Sequence, residues 1–360
     1  MLQIQERGVV DPDIPNFTLT PDSFNYLKVF QKSDLIIPTY ELSIKTPNKS
    51  IINHIKKNNT KLKIKIGSSV KDVKEYDFLI NNYSLSFSGE IHNIILTGRL
   101  DMTDFYTKME QKVYNNQTTD TILYQLSNID ADVDYIGNDS QIWLKHNITE
   151  KEWVERLLKN HYISDDTFAL GAYTIDKKLI VRDVLKELSK EPFIKFYNQP
   201  QGQSSSKIRY DSMRIESDYA LPQAILGGGR KLSVYNMITN EESFMVADGK
   251  SFKASIDELT VNRQIPTLFD TYNVYDKFYT SELHTISKKL NLFSTNVILT
   301  ISNNYLNDER LPLLKNVRLI TNDTGDTLDD TFTGNYLVTE KNLYIDTKSM
   351  TQQITLNRGY

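Results

Sequence analysis

Apolar and polar residues alternate along many short stretches of this chain, and this alternation constrains its fold more than any other feature. Successive side chains of a β-strand point to opposite faces of a sheet, so alternation predicts strands with one buried and one solvent-facing side. Residues 26 to about 105 are therefore predicted to form a small antiparallel barrel or sandwich. Its strands are expected at residues 26–30, 40–45, 61–66, 76–80, 83–87 and 91–96, with Asn81, Asn82 and Gly89 in turns and a short helix at 49–57.

The end of the chain repeats this order of elements. A strand is predicted at residues 272–277 and a helix at 281–290, and a series of strands follows. These last strands are expected at residues 296–301, 316–321, 335–339, 342–346 and 353–358. Polar connections between them are typical of a meander. Two copies of one barrel in a single chain are the simplest explanation of the repeated order.

The region from Gln117 to Leu188 differs, because apolar residues there recur at helical spacing. Thr149 is followed three residues later by Glu152, which predicts a capping box at the start of a helix that ends near Asn160. Trp153 lies on the apolar stripe of this helix, and Trp143 lies in a short strand predicted at residues 140–145. This region is predicted to be an α+β insertion.

The remaining elements of the insertion have local signals of their own. A helix is predicted to start at Thr118 or Thr119, and a hairpin turns around Asp176. A short helix should follow from Asp183, whose side chain can cap it. The acidic stretch from Asp130 to Asp134 is interpreted as a loop.

The length of 360 residues predicts two to three domains. A polar stretch at residues 199–206 has the composition of a linker. We divide the chain into a first barrel with an N-terminal arm (1–105), an outer α+β domain (106–200), a linker with further strands (201–270) and a second barrel (271–360). The expected fold class is mainly β, with two similar antiparallel β-barrels and an α+β insertion.

Composition excludes several classes of function. The net charge of −4 argues against a surface that neutralises nucleic-acid phosphates. The absence of cysteine excludes disulfides, thiolate metal sites and cysteine nucleophiles. No apolar run reaches the length of a membrane span, and the N-terminus lacks the pattern of a signal peptide. We expect a soluble protein that is made inside the cell.

No motif predicts a catalytic, cofactor-binding or metal site. The five histidines show no metal-binding spacing and are expected to pack or face solvent. The acidic cluster from Asp323 to Asp330 lacks the ligand order of a calcium loop and is interpreted as a hairpin tip. Gly227, Gly228 and Gly229 lack the spacing to a Lys-Ser/Thr pair and the following helix of a phosphate loop, and they indicate a flexible turn.

The order of the segments resembles that of baseplate hub proteins of contractile-tailed bacteriophages, a group that includes late control protein D and the hub-like front half of type VI secretion spike proteins. Three places carry the resemblance. They are the helix from Gln117 with Trp143 and the helix from Thr149 to Leu158, the strand and helix of residues 177–188, and the terminal strands from Asn296 through Gly334 to Arg358. The stretch from Leu221 to Asp270 lies outside it.

The resemblance implies a homotrimer in which each subunit contributes two barrels to a pseudo-six-fold ring. The ring would join the tail tube to the central spike and touch other baseplate proteins, and DNA would only pass through its channel. It also implies a location in the virion tail after assembly in the host cytoplasm. No cofactor, metal or stable membrane insertion is expected. Thr149, Glu152, Trp143, Trp153 and Gly334 would then be structural residues.

Two other functions stay open at this point. The 21 tyrosines and 15 phenylalanines are compatible with a tail-associated receptor- or carbohydrate-binding protein. A peptidoglycan-degrading enzyme would need two carboxylates across a cleft, and no spacing in the sequence indicates such a pair.

Overall fold

The computed structural model describes residues 2–4, 8–13, 23–47, 61–67, 73–164, 167–198, 207–217, 230–236, 241–247, 267–269, 285, 289, 292–293, 295–302, 305–321 and 332–358. The helix expected at 49–57, the strand at 272–277, most of the helix at 281–290, the linker at 199–206, the three glycines at 227–229 and the acidic cluster at 323–330 lie outside these residues.

Strands dominate the described residues, which confirms the mainly β fold class. The first barrel region contains β1 (Leu2–Ile4), β2 (Gly8–Asp13), β3 (Phe24–Lys32), β4 (Ile36–Thr46), β5 (Lys61–Gly67), β6 (Val73–Ser88) and β7 (Ile91–Leu100). The α+β region contains α1 (Thr103–Thr107), β8 (Met109–Gln117), α2 (Thr119–Leu123), β9 (Asp130–Asp134), β10 (Gln141–Thr149), α3 (Glu150–Asn160), β11 (Ala169–Tyr173), β12 (Lys178–Asp183) and α4 (Val184–Ser189). Later strands are β13 (Lys195–Tyr197), β14 (Lys207–Arg209), β15 (Ser212–Ser217), β16 (Arg230–Asn236), β17 (Glu241–Ala247), β18 (Thr267–Phe269), β19 (Thr295–Ser302), β20 (Asn316–Ile320), β21 (Gly334–Asp346) and β22 (Met350–Asn357).

One large sheet contains strands from both ends of the chain. Its order is β1-β2-β5-β6-β7-β4-β3-β21-β20-β13-β14, and β22, β19 and β15 continue from the other edge of β21. Smaller sheets pair β8 with β10, β9 and β11 with β12, and β17 and β18 with β16. Most pairs are antiparallel, but β13 runs parallel to both β14 and β20.

The duplication expected from the sequence is present in the strand order. The first set, β5-β6-β7-β4-β3, matches the second set, β20-β21-β22-β19-β15, and every neighbouring pair in both sets is antiparallel. The strands of each set also follow each other in the same chain order. We call these two sets the first and second modules.

The register of the modules matches residue by residue. Asn81 is the extra residue at a register shift in β6, and Thr339 is the extra residue at the corresponding shift in β21. With these two residues aligned, the hydrogen-bonded partners of β5, β7, β4 and β3 coincide with those of β20, β22, β19 and β15. Val29 of β3 corresponds in this way to Ile215 of β15.

The strand predictions need four corrections. Asn81 and Asn82 form no turn, because an inserted residue within a strand makes a bulge and lets β6 continue to Ser88. Residues 335–339 and 342–346 are one strand, β21, for the same reason. The last strands β20, β21 and β22 pair in chain order as a meander, but β19 departs from it, because it pairs with β22 and not with β20. The fourth correction concerns the acidic stretch from Asp130 to Asp134.

This acidic stretch is the strand β9, not a loop. It runs parallel to β12, and Val133 between the aspartates is buried. Asp130 pairs with Lys178 at 3.1 Å, and Arg182 donates to Asp132. Cations on the neighbouring strand thus offset the low strand preference of aspartate.

Two hydrophobic cores lie on either side of β11. All five residues of β11 are buried. Ala169 and Tyr173 belong to the core of the first barrel and the helices, whereas Leu170 and Ala172 belong to the core of the second module. The α+β region therefore shares the first barrel's core and supplies the layer between the two cores. The division into domains at residues 105, 200 and 270 stays a prediction, and β13, β14 and β15 pair within the large sheet.

Candidate functional site: the internal joint and the free strand edges

The two modules meet where β3 pairs with the second half of β21. The register runs from Lys32 opposite Glu340 to Tyr26 opposite Asp346. The inward side chains of this pairing, Leu27, Val29, Leu343 and Ile345, are all buried. We call this pairing the internal joint. Because backbone hydrogen bonds and apolar side chains both cross it, the joint fixes the relative position of the modules.

A bulge at Thr339 makes the joint possible. Before the bulge, β21 pairs with β20 on one edge, and after it the same edge pairs with β3. The Ser33 backbone N–H donates to the Thr339 carbonyl at 2.7 Å, which ties the end of β3 to the bulge. A bulge bends its strand and re-aims the pairing edge. The strand β21 therefore serves both modules.

A buried ion pair lies beneath the joint. Lys341 is fully buried, and its Nζ donates to Asp308 Oδ1 at 2.6 Å and to the Leu311 carbonyl at 2.7 Å. Gln31 lies opposite Lys341 in the register, and its amide, oriented to donate, reaches both carboxylate oxygens of Asp308 at 3.3 Å. The pair joins β3, β21 and the 305–314 loop. No sequence motif indicates this pair, although Lys341 shares its alternation phase with the buried Leu343 and Ile345.

A second ionic cluster ties the β11–β12 turn to the first module. Lys74 of β6 lies 3.5 Å from Asp176 Oδ2 and 2.7 Å from Glu309 Oε1. Burial, and next the negative charge of Asp308, raise the pKa of Asp176 above its ordinary value. Lys177 Nζ donates to Asp77 Oδ2 at 3.1 Å. The turn thus contacts β6 of the first module at two points.

The internal joint uses one edge of β3 and one edge of β21. The equivalent edges of β15 and of the second half of β6 pair with no other strand among the described residues. The second half of β6, residues 84–88, pairs with β7 on one side and with no described strand on the other. Among the described strands, β15 likewise pairs only with β19. Phe87 is 66% exposed at the tip of the β6–β7 hairpin, and Ile91 beside it is also exposed. We call residues 84–88 and residues 212–217 the free edges.

The five residues expected to be structural lie elsewhere. Thr149 and Glu152 form the capping box, with Glu152 N–H donating to Thr149 Oγ1 at 3.2 Å and Thr149 N–H donating to Glu152 Oε2 at 2.9 Å. The Trp153 ring stacks on Tyr114 at 5.9 Å and meets Trp143 edge-on at 6.4 Å. These four residues lie together in the α+β region.

Gly334 lies in the second module, at the first position of β21. A Cβ there would meet only the end of the flexible Arg358 side chain, at 2.4 Å. The stabilising role of all five residues stays a prediction.

Two of the described histidines, His92 and His161, are buried. His161 bridges two backbones, because its Nδ1 lies 2.7 Å from the Leu158 carbonyl and its Nε2 accepts from Ala169 N–H at 2.6 Å. His92 is buried with its ring edge-on to Phe87 at 5.1 Å. Within the described ranges, no group of three His, Asp or Glu side chains could hold a metal ion. No described helix has the length and apolarity needed to cross a bilayer.

Half of the sixteen described tyrosines are buried in the two cores. Eight of them are buried: Tyr40, Tyr76, Tyr114, Tyr135, Tyr173, Tyr210, Tyr305 and Tyr336. Burial raises the pKa of the Tyr305 phenol well above its ordinary value. On the outer face, Tyr26 stacks on Tyr344 across the internal joint at 6.0 Å. The aromatic content therefore follows largely from the cores and the joint.

Known proteins resemble the chain in structure. No family model matches it, and no curated protein matches it by sequence. The structure of a tail protein from Neisseria meningitidis superposes with a TM-score of 0.60 at 10% identity, over 98% of this chain and 97% of the other. The 43 kDa tail protein of prophage MuSo2 from Shewanella oneidensis gives 0.57 at 11% identity, over 98% and 97%.

A type VI secretion component is also similar. An Escherichia coli protein of that system, described as structurally similar to bacteriophage T4 tail proteins, gives a TM-score of 0.52 at 8% identity, over 97% of this chain and 77% of the other. At these identities the similarity is one of fold. It confirms that the chain is folded like the phage tail and type VI spike proteins that its order of segments resembles.

Proposed function

We propose that the chain is a structural hub protein of a phage tail baseplate, without catalytic activity. The observation that carries the proposal is the duplicated module. A chain with two like modules held by one joint presents six like modules when three copies assemble. The similarity of fold to tail proteins over nearly the whole chain supports the same function.

In this function three copies form a ring with pseudo-six-fold symmetry. One face of the ring meets the tail tube, and the other meets the central spike and further baseplate proteins. DNA passes through the channel, and the protein resides in the virion tail after assembly in the host cytoplasm. The α+β region lies at the outside of the ring.

The mass and shape of the purified chain test this function. Native mass spectrometry at rising concentration is expected to show trimers, and negative-stain class averages should show a ring with six similar lobes and an open centre. A species that stays monomeric at the highest concentration contradicts the proposal. Binding on a glycan array would favour a receptor-binding protein instead, and clearing of purified peptidoglycan would favour an enzyme.

A further inference from the structure

We infer that copies of this chain join edge to edge, with β15 of one copy pairing antiparallel with residues 84–88 of β6 in the next. The inference rests on the proposed trimeric ring and names the contact that closes it. Inside the chain, β3 of the first module pairs with β21 of the second. The equivalent strands of the opposite modules are β15 and β6, and these carry the free edges.

The matched registers of the two modules predict the pairing residue by residue. In the internal joint, Leu27 lies opposite Ile345 and Val29 lies opposite Leu343. Each residue of these pairs has an equivalent in the other module. Replacing each residue by its equivalent places Met213 opposite Phe87 and Ile215 opposite Leu85. All eight side chains are apolar. The outward pair Lys28 and Tyr344 becomes Arg214 opposite Ser86.

The inward side chains of the internal joint and their equivalents at the free edges differ in solvent exposure. The four inward side chains of the internal joint are buried. Of their equivalents, Phe87 is exposed, and Leu85, Met213 and Ile215 are only partly buried against their own cores. Edge pairing would bury them in the same way. Strand addition at an open edge supplies backbone hydrogen bonds together with side-chain specificity of this alternating kind.

The contact is heterologous, because each copy uses β6 toward one neighbour and β15 toward the other. A heterologous contact closes into a ring only if its rotation matches the ring size. The internal joint already sets the rotation between successive modules. A contact between copies with this same rotation gives a ring in which every module is related to the next in the same way, both within a chain and between chains.

Engineered disulfides test the register, and the absence of cysteine makes the chain suitable for them. Ser86→Cys and Arg214→Cys are made in separate copies, so that a covalent dimer can form only between copies. The expected result on mild oxidation is a covalent dimer when the two are mixed and none from either alone. A chain carrying both cysteines should give bands that end at the covalent trimer.

Two further pairs calibrate this experiment. Lys28→Cys with Tyr344→Cys in one chain places the same outward pair in the internal joint and should form an intramolecular disulfide. Ser86→Cys mixed with Met213→Cys is shifted by one residue, and a shift of one turns a side chain to the opposite face of the sheet. This mixture should not cross-link.

Phe87→Glu tests the contact without cysteines. The side chain is exposed in a single copy, so the fold should survive, while trimer formation should weaken by about tenfold or more. Ile136→Glu, at another exposed apolar position, is the control and should leave trimer formation unchanged. Equal effects of the two substitutions would contradict the assigned edge.

The outcomes separate this inference from the proposed function. One outcome is that trimers form and the Lys28–Tyr344 disulfide forms, but the cysteines at positions 86 and 214 do not cross-link. This outcome contradicts the edge pairing and leaves the proposed ring function intact. Monomers at all concentrations without the cross-link overturn both. The cross-link together with covalent trimers supports both.

Discussion

Lys341 is charged, although it lies on the buried face of β21, where the alternation of apolar and polar residues predicts an apolar side chain. Its partner Asp308 is also buried, and the two are 2.6 Å apart. Lys341→Met leaves the carboxylate buried without its cation and is expected to lower the free energy of unfolding by about 3–5 kcal/mol. Urea denaturation followed by circular dichroism measures this.

Two controls separate lost pairing from lost packing. Lys341→Met combined with Asp308→Leu removes both charges and should recover much of the stability, because a buried pair replaced by apolar residues is often neutral. Lys63→Met breaks the exposed pair with Glu75 and should cost about 0–1 kcal/mol. A double variant no more stable than Lys341→Met would argue that the charge pair is not the cause.

Gly98 is a second position where a single atom matters. The Leu79 carbonyl lies so close to Gly98 that a Cβ on residue 98 would lie 1.8 Å from its oxygen. Gly98→Ala must therefore shift the backbone, and it is expected to destabilise the protein by about 1–3 kcal/mol or more. Gly334→Ala, whose Cβ meets only the flexible end of Arg358, should change the free energy of unfolding much less.

At the scale of elements, helix α3 depends on two carboxylates at its start. Burial opposes ionisation of Glu150, but hydrogen bonds from Ser127 and Asn128 outweigh it and lower its pKa. Hydrogen bonds from Thr149 lower the pKa of Glu152. A lowered pKa stabilises the folded protein above the unfolded value of about 4.3 and stops doing so as the pH falls through the folded value.

This linkage predicts a loss of stability on acidification that involves α3. Glu150→Gln with Glu152→Gln should be less stable than the native chain at neutral pH, and its stability should fall less between about pH 5 and pH 3. Thermal unfolding at several pH values, followed by the fluorescence of Trp153 and Trp143, measures the difference. Parallel pH profiles for the two proteins would contradict the assignment.

Some elements were readable from the sequence because their signals are local. The capping box at Thr149, the hairpin around Asp176 and the helix after Asp183 involve residues a few positions apart, and all three form. The bulges at Asn81 and Thr339 were not readable, since only the pairing with a neighbouring strand shows that one residue is extra. Strand β9 was missed because its stabilising cations come from β12 and α4.

At the scale of the whole molecule, the repeated order of strands was predictable but the joint between the modules was not. The alternation in β3 indicates a strand without naming its partner, and that partner lies at the other end of the chain. The position of the sheet of β9, β11 and β12 between the two cores was not predictable for the same reason, because local sequence does not name the elements that pack on each face. Only the complete burial of β11 shows that both of its faces are covered.

This shared layer predicts that the two cores unfold together. Both tryptophans belong to the first core, whereas Leu319 lies in the second. Leu319→Ala should cost about 2–5 kcal/mol, and it should lower the midpoint by tryptophan fluorescence as much as the midpoint by circular dichroism. A change in circular dichroism that leaves the fluorescence midpoint in place would show that the cores unfold separately.

The internal joint also has a consequence for synthesis on the ribosome. Phe30 pairs with Asn342, so about 310 residues separate the two strands along the chain. At roughly 5–20 residues per second, the partner of β3 emerges on the order of tens of seconds after β3 itself. During that interval the nascent chain carries an unsatisfied backbone edge beside apolar side chains. We therefore expect yield on expression to depend on chaperones that cover nascent strands, and to depend on them less when translation is fast.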